Sequence, residues 1–160
     1  MKTLVIIPSR MSATRLPGKP LLKINGLSII SHVSKKAEEA NIGDVIVATE
    51  DQEIIDDVKG NGFNAILTSN KHKTGTDRIH EALKKSNIRD VDFIMNLQGD
   101  EPMINSEMIG ASVKPLLKNK KVVLSPHAAT FTQECLSKMS IETVKNIMDF
   151  RSEEHTSELQ

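Results

Sequence analysis

Three short segments of the chain combine residue types that bind phosphate and metal ions. The first, residues 6–20 (IIPSRMSATRLPGKP), changes from an apolar run into a Ser-, Thr-, Gly- and Pro-containing loop that carries Arg10, Arg15 and Lys19. A cationic loop at the end of a strand suits a polyphosphate, because point charges and backbone N–H groups converge there. The alternative is a solvated surface loop, since the segment matches neither common glycine-rich fingerprint.

The cations of this loop belong to a longer basic stretch. Residues 1–37 contain seven basic residues and no acidic one, although the whole chain balances 21 basic against 21 acidic residues. The other residues therefore hold 14 of the 21 basic residues and all 21 acidic ones. We expect no nucleic-acid partner, because the net charge is zero and the chain has four Phe but no Trp or Tyr on which bases could stack.

The second segment, residues 72–78 (HKTGTDR), precedes a predicted helix. Gly75 permits close backbone approach, and the N–H groups at the start of the helix offer further donors to a ligand. The alternative is an ordinary helix start capped by Thr or Asp. His72 taken by itself is typical of a surface residue.

The third segment, residues 96–102 (NLQGDEP), follows an apolar run that predicts a strand. A carboxylate at the carboxyl end of a central strand lies where ligands gather in open α/β sheets. Mg²⁺ takes few protein carboxylates together with water and phosphate oxygens, so Asp100 facing a triphosphate is a reasonable ligand. We prefer Asp100 to Glu101 because its shorter side chain directly follows Gly99. The alternative is a Gly-Asp turn closed by Pro102.

Elements that would position these segments are predicted from the apolar pattern. Short β-branched runs alternate with helical periodicity, which predicts an α/β fold whose parallel sheet is covered by helices on both faces. The predicted strands are residues 3–7, 44–49, 65–68, 93–97 and 122–125. Helical spacing of apolar residues covers residues 29–40, 54–58, 79–83 and 109–117. The predicted N-terminal caps of these helices are Ser28, Asp51, Thr76 and Asn105.

Composition limits the class of protein further. A chain of 160 residues predicts one domain, with a core built from aliphatic residues because aromatic residues are scarce. The single cysteine, Cys135, excludes an intrachain disulfide framework and fits a reducing compartment. No apolar run is long enough for a signal-peptide core or a bilayer span, so we expect a cytoplasmic protein without a membrane partner.

Residues 151–160 (RSEEHTSELQ) depart from the strand and helix pattern. The segment resembles one translation frame of a common DNA-sequencing adapter, and the alternative is a polar helical tail. We expect residues 151–160 to be an artefact and residues 1–150 to be the N-terminal part of one domain.

The three segments together resemble the 3-deoxy-manno-octulosonate cytidylyltransferases, also called CMP-Kdo synthetases. The matching stretches are residues 7–10 (IPSR), 12–21 (SATRLPGKPL), 47–49 (VAT), 72–78 (HKTGTDR) and 96–102 (NLQGDEP). The resemblance implies a Rossmann-like nucleotide-sugar transferase fold with a mostly parallel mixed sheet, here truncated at its C-terminal side. It also implies a homodimer in the bacterial cytoplasm that joins CTP and the acid sugar Kdo into CMP-Kdo, releasing pyrophosphate, for lipopolysaccharide synthesis.

The resemblance further assigns roles to individual residues. Arg10 and Lys19 would hold the triphosphate, with Arg15 as a supporting cation, and Asp100 would bind Mg²⁺. The remaining contacts divide into a nucleotide wall and a sugar-placing pair. The wall comprises Pro8, Ser9, His72, Gly75 and Thr76, and the pair comprises Arg78 and Gln98. The sugar hydroxyl would attack the α-phosphorus of CTP directly, so no nucleophilic side chain is required.

Two alternatives stay open at this point. One is a cytidylyltransferase for another acid sugar, since family members carry sugar contacts, a second metal carboxylate and dimer contacts in a later part of the chain. The other is a CTP-binding module without catalysis. We expect this 160-residue chain itself to be inactive and poorly soluble, because those later parts are missing from it.

Overall fold

The computed structural model describes residues 2–12, 16–72 and 74–114, and all the structural statements below concern these ranges. The described ranges contain six strands and four α-helices, which alternate from β3 onward, and a short 3₁₀ turn at Lys19–Leu21 follows β1. The strands are β1 (Thr3–Ser9), β2 (Lys23–Ile24), β3 (Leu27–Ser28), β4 (Gly43–Thr49), β5 (Ala65–Leu67) and β6 (Phe93–Asn96). The helices are α1 (Ile29–Glu39), α2 (Gln52–Gly60), α3 (Gly75–Lys85) and α4 (Ser106–Val113).

The central sheet has the strand order β5-β4-β1-β6, and every pair in it is parallel. In register, Thr3 lies opposite Gly43 on β4 and opposite Phe93 on β6. After β5 the chain crosses to the other side of β1 to form β6, so the direction in which strands are added reverses beside β1. In open α/β sheets a ligand crevice forms outside the carboxyl ends of the strands at such a reversal.

Helices cover both faces of this sheet. Val5 and Ile7 pack on one face with buried residues of α1, α2 and α4, whereas Leu4 and Ile6 pack on the other face with α3. This alternation follows from the two-residue period of a strand. Because both faces are covered by helices, residues 4–7 of β1 are all apolar. The prediction of an α/β fold with a mostly parallel sheet, helices on both faces and an aliphatic core is confirmed.

A small antiparallel hairpin of β2 and β3 stands apart from the central sheet and was not predicted. Asn25 and Gly26, at its tip, both have positive φ angles, 49° and 84°. Two-residue hairpin turns need this conformation, which Asn-Gly adopts readily. The Asn-Gly pair was the sequence signal for this hairpin.

Two of the four predicted helix caps form the expected bonds. Ser28 Oγ accepts a hydrogen bond from the Ser31 N–H at 3.2 Å, and Asn105 Oδ1 accepts one from the Glu107 N–H at 2.7 Å. Each side chain therefore satisfies a free donor in the first turn of α1 or α4.

The predicted cap at Thr76 is wrong. Helix α3 begins at Gly75, and Thr74 is the cap, its Oγ1 accepting from the Asp77 N–H at 3.2 Å. The reason is spacing, since a capping side chain accepts from the N–H two or three residues after it, at the start of the helix, and Thr76 already lies inside the helix.

Several predictions fall on parts of the chain outside the described residues. They are the strand at residues 122–125, the end of the fourth helix at residues 116–117, Cys135, and the tail at residues 151–160. Strand β1 extends two residues beyond its prediction, and Pro8 and Ser9 continue the register with Ala48 and Thr49. Across the described part of the chain, no helix has the length and apolar character that crossing a membrane requires.

Candidate functional site

A cavity of about 770 Å³ lies at the carboxyl ends of β1 and β6. Ten of the eleven predicted site residues line it, and the eleventh, Arg15, falls outside the described residues. Those ten are Pro8, Ser9, Arg10, Lys19, His72, Gly75, Thr76, Arg78, Gln98 and Asp100. A volume of this size is sufficient for a nucleotide. The three chemically suggestive segments of the sequence therefore meet in one place.

The cationic loop reaches the cavity because it is anchored at both ends. It leaves β1 at Ser9, and the Met11 N–H donates to Asp51 Oδ2 at the start of α2 over 2.7 Å. At its other end, Gly18 has a φ of 74° and donates its N–H to the Met11 carbonyl oxygen at 3.0 Å. Asp51 was predicted to cap α2, but it makes no capping bond and instead fixes this loop.

Lys19 and Asp100 form an ion pair across the cavity. The distance from Lys19 Nζ to Asp100 Oδ2 is 3.0 Å, and the side chains are 33% and 57% exposed. Pairs this exposed contribute about 0–1 kcal/mol, so a ligand can separate them at little cost. A cation predicted to bind phosphate and a carboxylate predicted to bind a metal thus lie in direct contact.

Gly99 sets the position of Asp100 against the end of β1. A Cβ at Gly99 would lie 3.1 Å from both the Pro8 carbonyl oxygen and Ile30 Cδ1, closer than such atoms normally approach. A Cβ at Gly75 would meet Pro8 Cγ at 3.6 Å, which is ordinary contact. Packing therefore favours glycine at Gly99 more strongly than at Gly75, a difference that the sequence alone did not reveal.

Asn96, at the end of β6, also lines the cavity and was not among the predicted site residues. Its Oδ1 atom is buried and has no hydrogen-bond partner within the described ranges. A buried polar atom without a hydrogen-bond partner lowers the stability of the fold. A ligand donor that bonds Oδ1 would remove this cost and so add to the affinity for the ligand. The signal for it was its place as the first residue of the third segment, residues 96–102, near the carboxyl end of the predicted strand 93–97.

Arg78 lies at the cavity but is already bound by the protein. Its side chain is 4% exposed, Nη1 donates to Thr68 Oγ1 at 2.6 Å, and Nη2 forms a short ion pair with Glu50. The guanidinium is therefore held between the ends of β4 and β5. Its predicted contact with the carboxylate of an acid sugar stays a prediction, and any such contact must use its other N–H groups.

His72 is held from behind by Glu81 of α3. The His72 ring nitrogen Nε2 forms a short hydrogen bond to Glu81 Oε2, which also accepts from the Ser69 N–H at 2.9 Å. Lys85 Nζ lies 2.7 Å from Glu81 Oε1. Hydrogen bonds from Lys85, the Ser69 N–H and His72 lower the pKa of Glu81 to about 2, so this carboxylate is ionised near neutral pH.

The donor set at the cavity fits a magnesium ion that is shared with a ligand. Within residues 2–12, 16–72 and 74–114 no three His, Cys, Asp or Glu side chains cluster as a metal site. Among the described residues that line the cavity, Asp100 is the one carboxylate, and it contacts Lys19 of the cationic loop. Mg²⁺ is commonly held by one or two carboxylates plus phosphate oxygens and water, so Asp100 suits it only together with a phosphate ligand.

Comparison with known proteins gives a consistent result. The chain matches two curated 3-deoxy-manno-octulosonate cytidylyltransferases, at 48% identity over 116 residues for Mesorhizobium japonicum and 50% over 116 residues for Rhodopseudomonas palustris. Each match covers 72% of this chain, with 48% of the first relative and 47% of the second. The chain thus spans about half the length of the curated relatives it matches.

A solved structure shares the fold. It is a CMP:2-keto-3-deoxy-manno-octonic acid synthetase complexed with CTP, which is 38% identical with a TM-score of 0.70, over 76% of this chain and 50% of that one. A family model described as cytidylyltransferase matches residues 4–158. The resemblance that the motifs indicated is confirmed, and the chain belongs to the cytidylyltransferase family.

Proposed function

We propose that the whole protein joins CTP and Kdo into CMP-Kdo with release of pyrophosphate, and that the cavity holds the nucleotide. The observation that carries this proposal is the meeting of Arg10, Lys19 and Asp100 at one cavity beside the reversal in strand order. The relatives named as 3-deoxy-manno-octulosonate cytidylyltransferases and the neighbour solved with CTP support the choice of substrates.

The cations bind the triphosphate and neutralise the charge that develops on the leaving pyrophosphate. Arg10 is exposed at the cavity and Lys19 exchanges its contact with Asp100 for phosphate oxygens. Positioning and charge neutralisation supply most of the catalysis in phosphoryl and nucleotidyl transfer, so the absence of a catalytic nucleophile from the predicted set is consistent with the reaction.

Asp100 would hold Mg²⁺ when Lys19 contacts the phosphates instead of the Asp100 carboxylate. Bound there, the ion supplies further positive charge to the phosphate oxygens. Gln98 and Arg78 place the acid sugar so that its hydroxyl faces the α-phosphorus, and Glu50 keeps the Arg78 guanidinium in a fixed orientation. A homodimer in the cytoplasm that serves lipopolysaccharide synthesis belongs to the same proposal.

Calorimetry of CTP binding with Mg²⁺ tests the nucleotide site on this chain. Arg10→Ala should weaken CTP binding roughly 10-fold or more, because it removes charge-assisted hydrogen bonds. Asp100→Ala should remove the dependence of CTP binding on Mg²⁺. The matched control is Arg89→Ala, an exposed arginine away from the cavity, which should leave the affinity unchanged. Equal effects of Arg10→Ala and Arg89→Ala would contradict the proposal.

Pyrophosphate release by the full-length protein with CTP, Mg²⁺ and Kdo tests the reaction itself. We expect turnover that requires Kdo and falls when sialic acid replaces it. Turnover with another acid sugar in preference to Kdo would favour the rival specificity. CTP binding without any sugar-dependent turnover would favour a binding module. We expect no turnover from the 160-residue chain alone.

A further inference from the structure

His72 lies in the cavity wall at the junction between β5 and α3, and one of its ring nitrogens is already used. Nε2 bonds Glu81 Oε2, so of the two ring nitrogens only Nδ1 is left to serve a ligand. The ring is about one-fifth exposed, which limits the orientations that it can adopt. What Nδ1 offers a ligand therefore depends on where Glu81 places the ring proton.

Glu81 itself is held from two sides. The Ser69 N–H donates to Oε2 at 2.9 Å, and Lys85 Nζ lies 2.7 Å from Oε1. Lys85 is fixed in turn, because its Nζ also donates to the Leu67 carbonyl oxygen at 3.0 Å. The carboxylate therefore has a set orientation toward His72, built from the end of β5 and one face of α3.

An ionised carboxylate accepts hydrogen bonds and cannot donate them. The lowered pKa of Glu81, caused first by Lys85 and then by the Ser69 N–H, keeps it ionised near neutral pH. The bond to His72 is then possible only when Nε2 carries a proton. In a neutral imidazole with the proton on Nε2, Nδ1 is a hydrogen-bond acceptor.

A neutral His72 that accepts through Nδ1 differs in chemistry from the cations at the cavity. Arg10, Lys19 and Arg78 are donors and suit phosphate or carboxylate oxygens. The nucleoside part of a nucleotide carries N–H and O–H donors that need acceptors instead. The buried Oδ1 of Asn96, which has no partner within the described ranges, is a second acceptor on the same cavity.

We propose that Glu81 is a positioning residue that fixes His72 in the Nε2-protonated tautomer, so that Nδ1 accepts a hydrogen bond from an N–H or O–H group of the bound nucleoside. This inference rests on the proposed function, because it takes CTP as the ligand of the cavity. Two donor groups of CTP meet the requirement, the amino group of cytosine and the hydroxyls of ribose. His72 thereby contributes to selecting the nucleoside, whereas the cations bind the phosphates.

The tautomer is measured first, on the free chain labelled with ¹⁵N, at about pH 8, where histidine is ordinarily neutral. The ¹⁵N shifts of His72, assigned by comparison with His72→Ala, should show Nε2 protonated and Nδ1 bare. Glu81→Gln should move the ring toward a mixture of tautomers, because a glutamine side chain both accepts and donates. An Nδ1-protonated ring in the unchanged chain overturns the proposal, whether or not the variant folds.

A double-mutant cycle on CTP affinity separates positioning from general structural support. Glu81→Gln and His72→Ala should each weaken CTP binding about fivefold, the value of one neutral hydrogen bond. In the His72→Ala background, Glu81→Gln should have no further effect, because the ring that it orients is gone. If Glu81→Gln weakens CTP binding about fivefold again in the His72→Ala background, Glu81 does not act by positioning His72. Glu53→Gln, an exposed glutamate on α2, is the matched control and should leave CTP affinity unchanged.

Nucleotide analogues identify the donor. If the cytosine amino group is the donor, His72→Ala should weaken CTP binding and leave UTP binding unchanged. If a ribose hydroxyl is the donor, His72→Ala should weaken CTP binding and UTP binding alike. If that hydroxyl is O2′, His72→Ala should leave the binding of 2′-deoxy-CTP unchanged. Equal weakening of CTP, UTP and 2′-deoxy-CTP binding leaves O3′ as the candidate donor, and a third analogue, 2′,3′-dideoxy-CTP, then decides. If His72→Ala weakens the binding of that analogue equally as well, the nucleoside assignment is overturned. If the unsubstituted chain does not bind CTP, the proposed function is contradicted. The tautomer of His72, measured without ligand, still tests the role of Glu81 in that case.

Discussion

At the scale of single residues, three nitrogen-bearing side chains at the cavity each contact a carboxylate. Lys19 contacts Asp100, Arg78 contacts Glu50, and His72 contacts Glu81. Burying an uncompensated charge is expensive, so the less exposed groups need a partner that holds them in one orientation. The most exposed pair, Lys19 with Asp100, joins the two groups that are proposed to exchange partners when CTP and Mg²⁺ bind.

The Glu81 carboxylate predicts how stability depends on pH. Its pKa falls from 4.5 to about 2 in the folded chain, so its ionised form stabilises the fold. This stabilisation is fully present above about pH 4.5 and is lost as the pH falls toward 2. Denaturant unfolding should be measured from pH 7 to pH 2 for the unsubstituted chain and for Glu81→Gln. The difference between their free energies of unfolding should shrink as the pH falls. Lys85→Met should reduce the pH dependence, because Lys85 is the main cause of the shift. A constant difference across the interval would argue against an ionised Glu81 in the fold.

At the scale of elements, the site depends on how the ends of strands meet. Strands β1 and β6 are neighbours and parallel, so the loops that follow them leave the same edge of the sheet. The loop after β6 turns closely over the end of β1 at Gly99. The run of apolar residues predicted both strands. It did not reveal how closely the two loops approach, because that distance depends on strand order and register.

Gly99→Ala tests the close approach. The added Cβ would press on the Pro8 carbonyl oxygen, which the ladder of β1 holds in place. We expect the free energy of unfolding to fall by about 1–3 kcal/mol, the usual cost of overpacking. Gly75→Ala is the matched control, since its Cβ has ordinary contacts, and it should change stability by less than about 1 kcal/mol. Denaturant titration of both variants gives the comparison, and equal losses would show that Gly99 carries no special constraint.

At the scale of the whole molecule, the chain builds its core from aliphatic side chains on both faces of one sheet. Leu4 and Ile6 point to the α3 side and Val5 and Ile7 to the opposite side, all four with 0% exposure. Buried residues of α1, α2 and α4 pack on one face of the sheet, and those of α3 pack on the other. The basic stretch of residues 1–37 contributes β1 to the centre of this sheet, and the loop after β1 brings Arg10 and Lys19 to the cavity.

Ile6→Ala tests the core. Removing a fully buried isoleucine side chain should lower the free energy of unfolding by about 2–5 kcal/mol, from lost burial and the cavity that remains. Ile24→Ala, on the hairpin and 38% exposed, is the matched control and should cost less than about 1 kcal/mol. Chemical denaturation measures both variants. A loss at Ile6 no larger than at Ile24 would mean that the α3 face of the sheet is loosely packed.

The sequence by itself determined the fold class, the four strands of the central sheet and the segments that meet at the site, whereas the hairpin of β2 and β3 was missed. These follow from local periodicity and from the rule that loops after parallel strands share an edge. Only the tertiary structure decided the partners, since Lys19 and Asp100 are 81 positions apart and Arg78 and Glu50 are 28 apart. Spacing along a chain does not identify which carboxylate faces which cation, because that depends on strand order, register and the packing of helices. For the same reason the sequence predicts that the Asp51 side chain caps α2, whereas in the fold that side chain accepts from the Met11 N–H of the cationic loop.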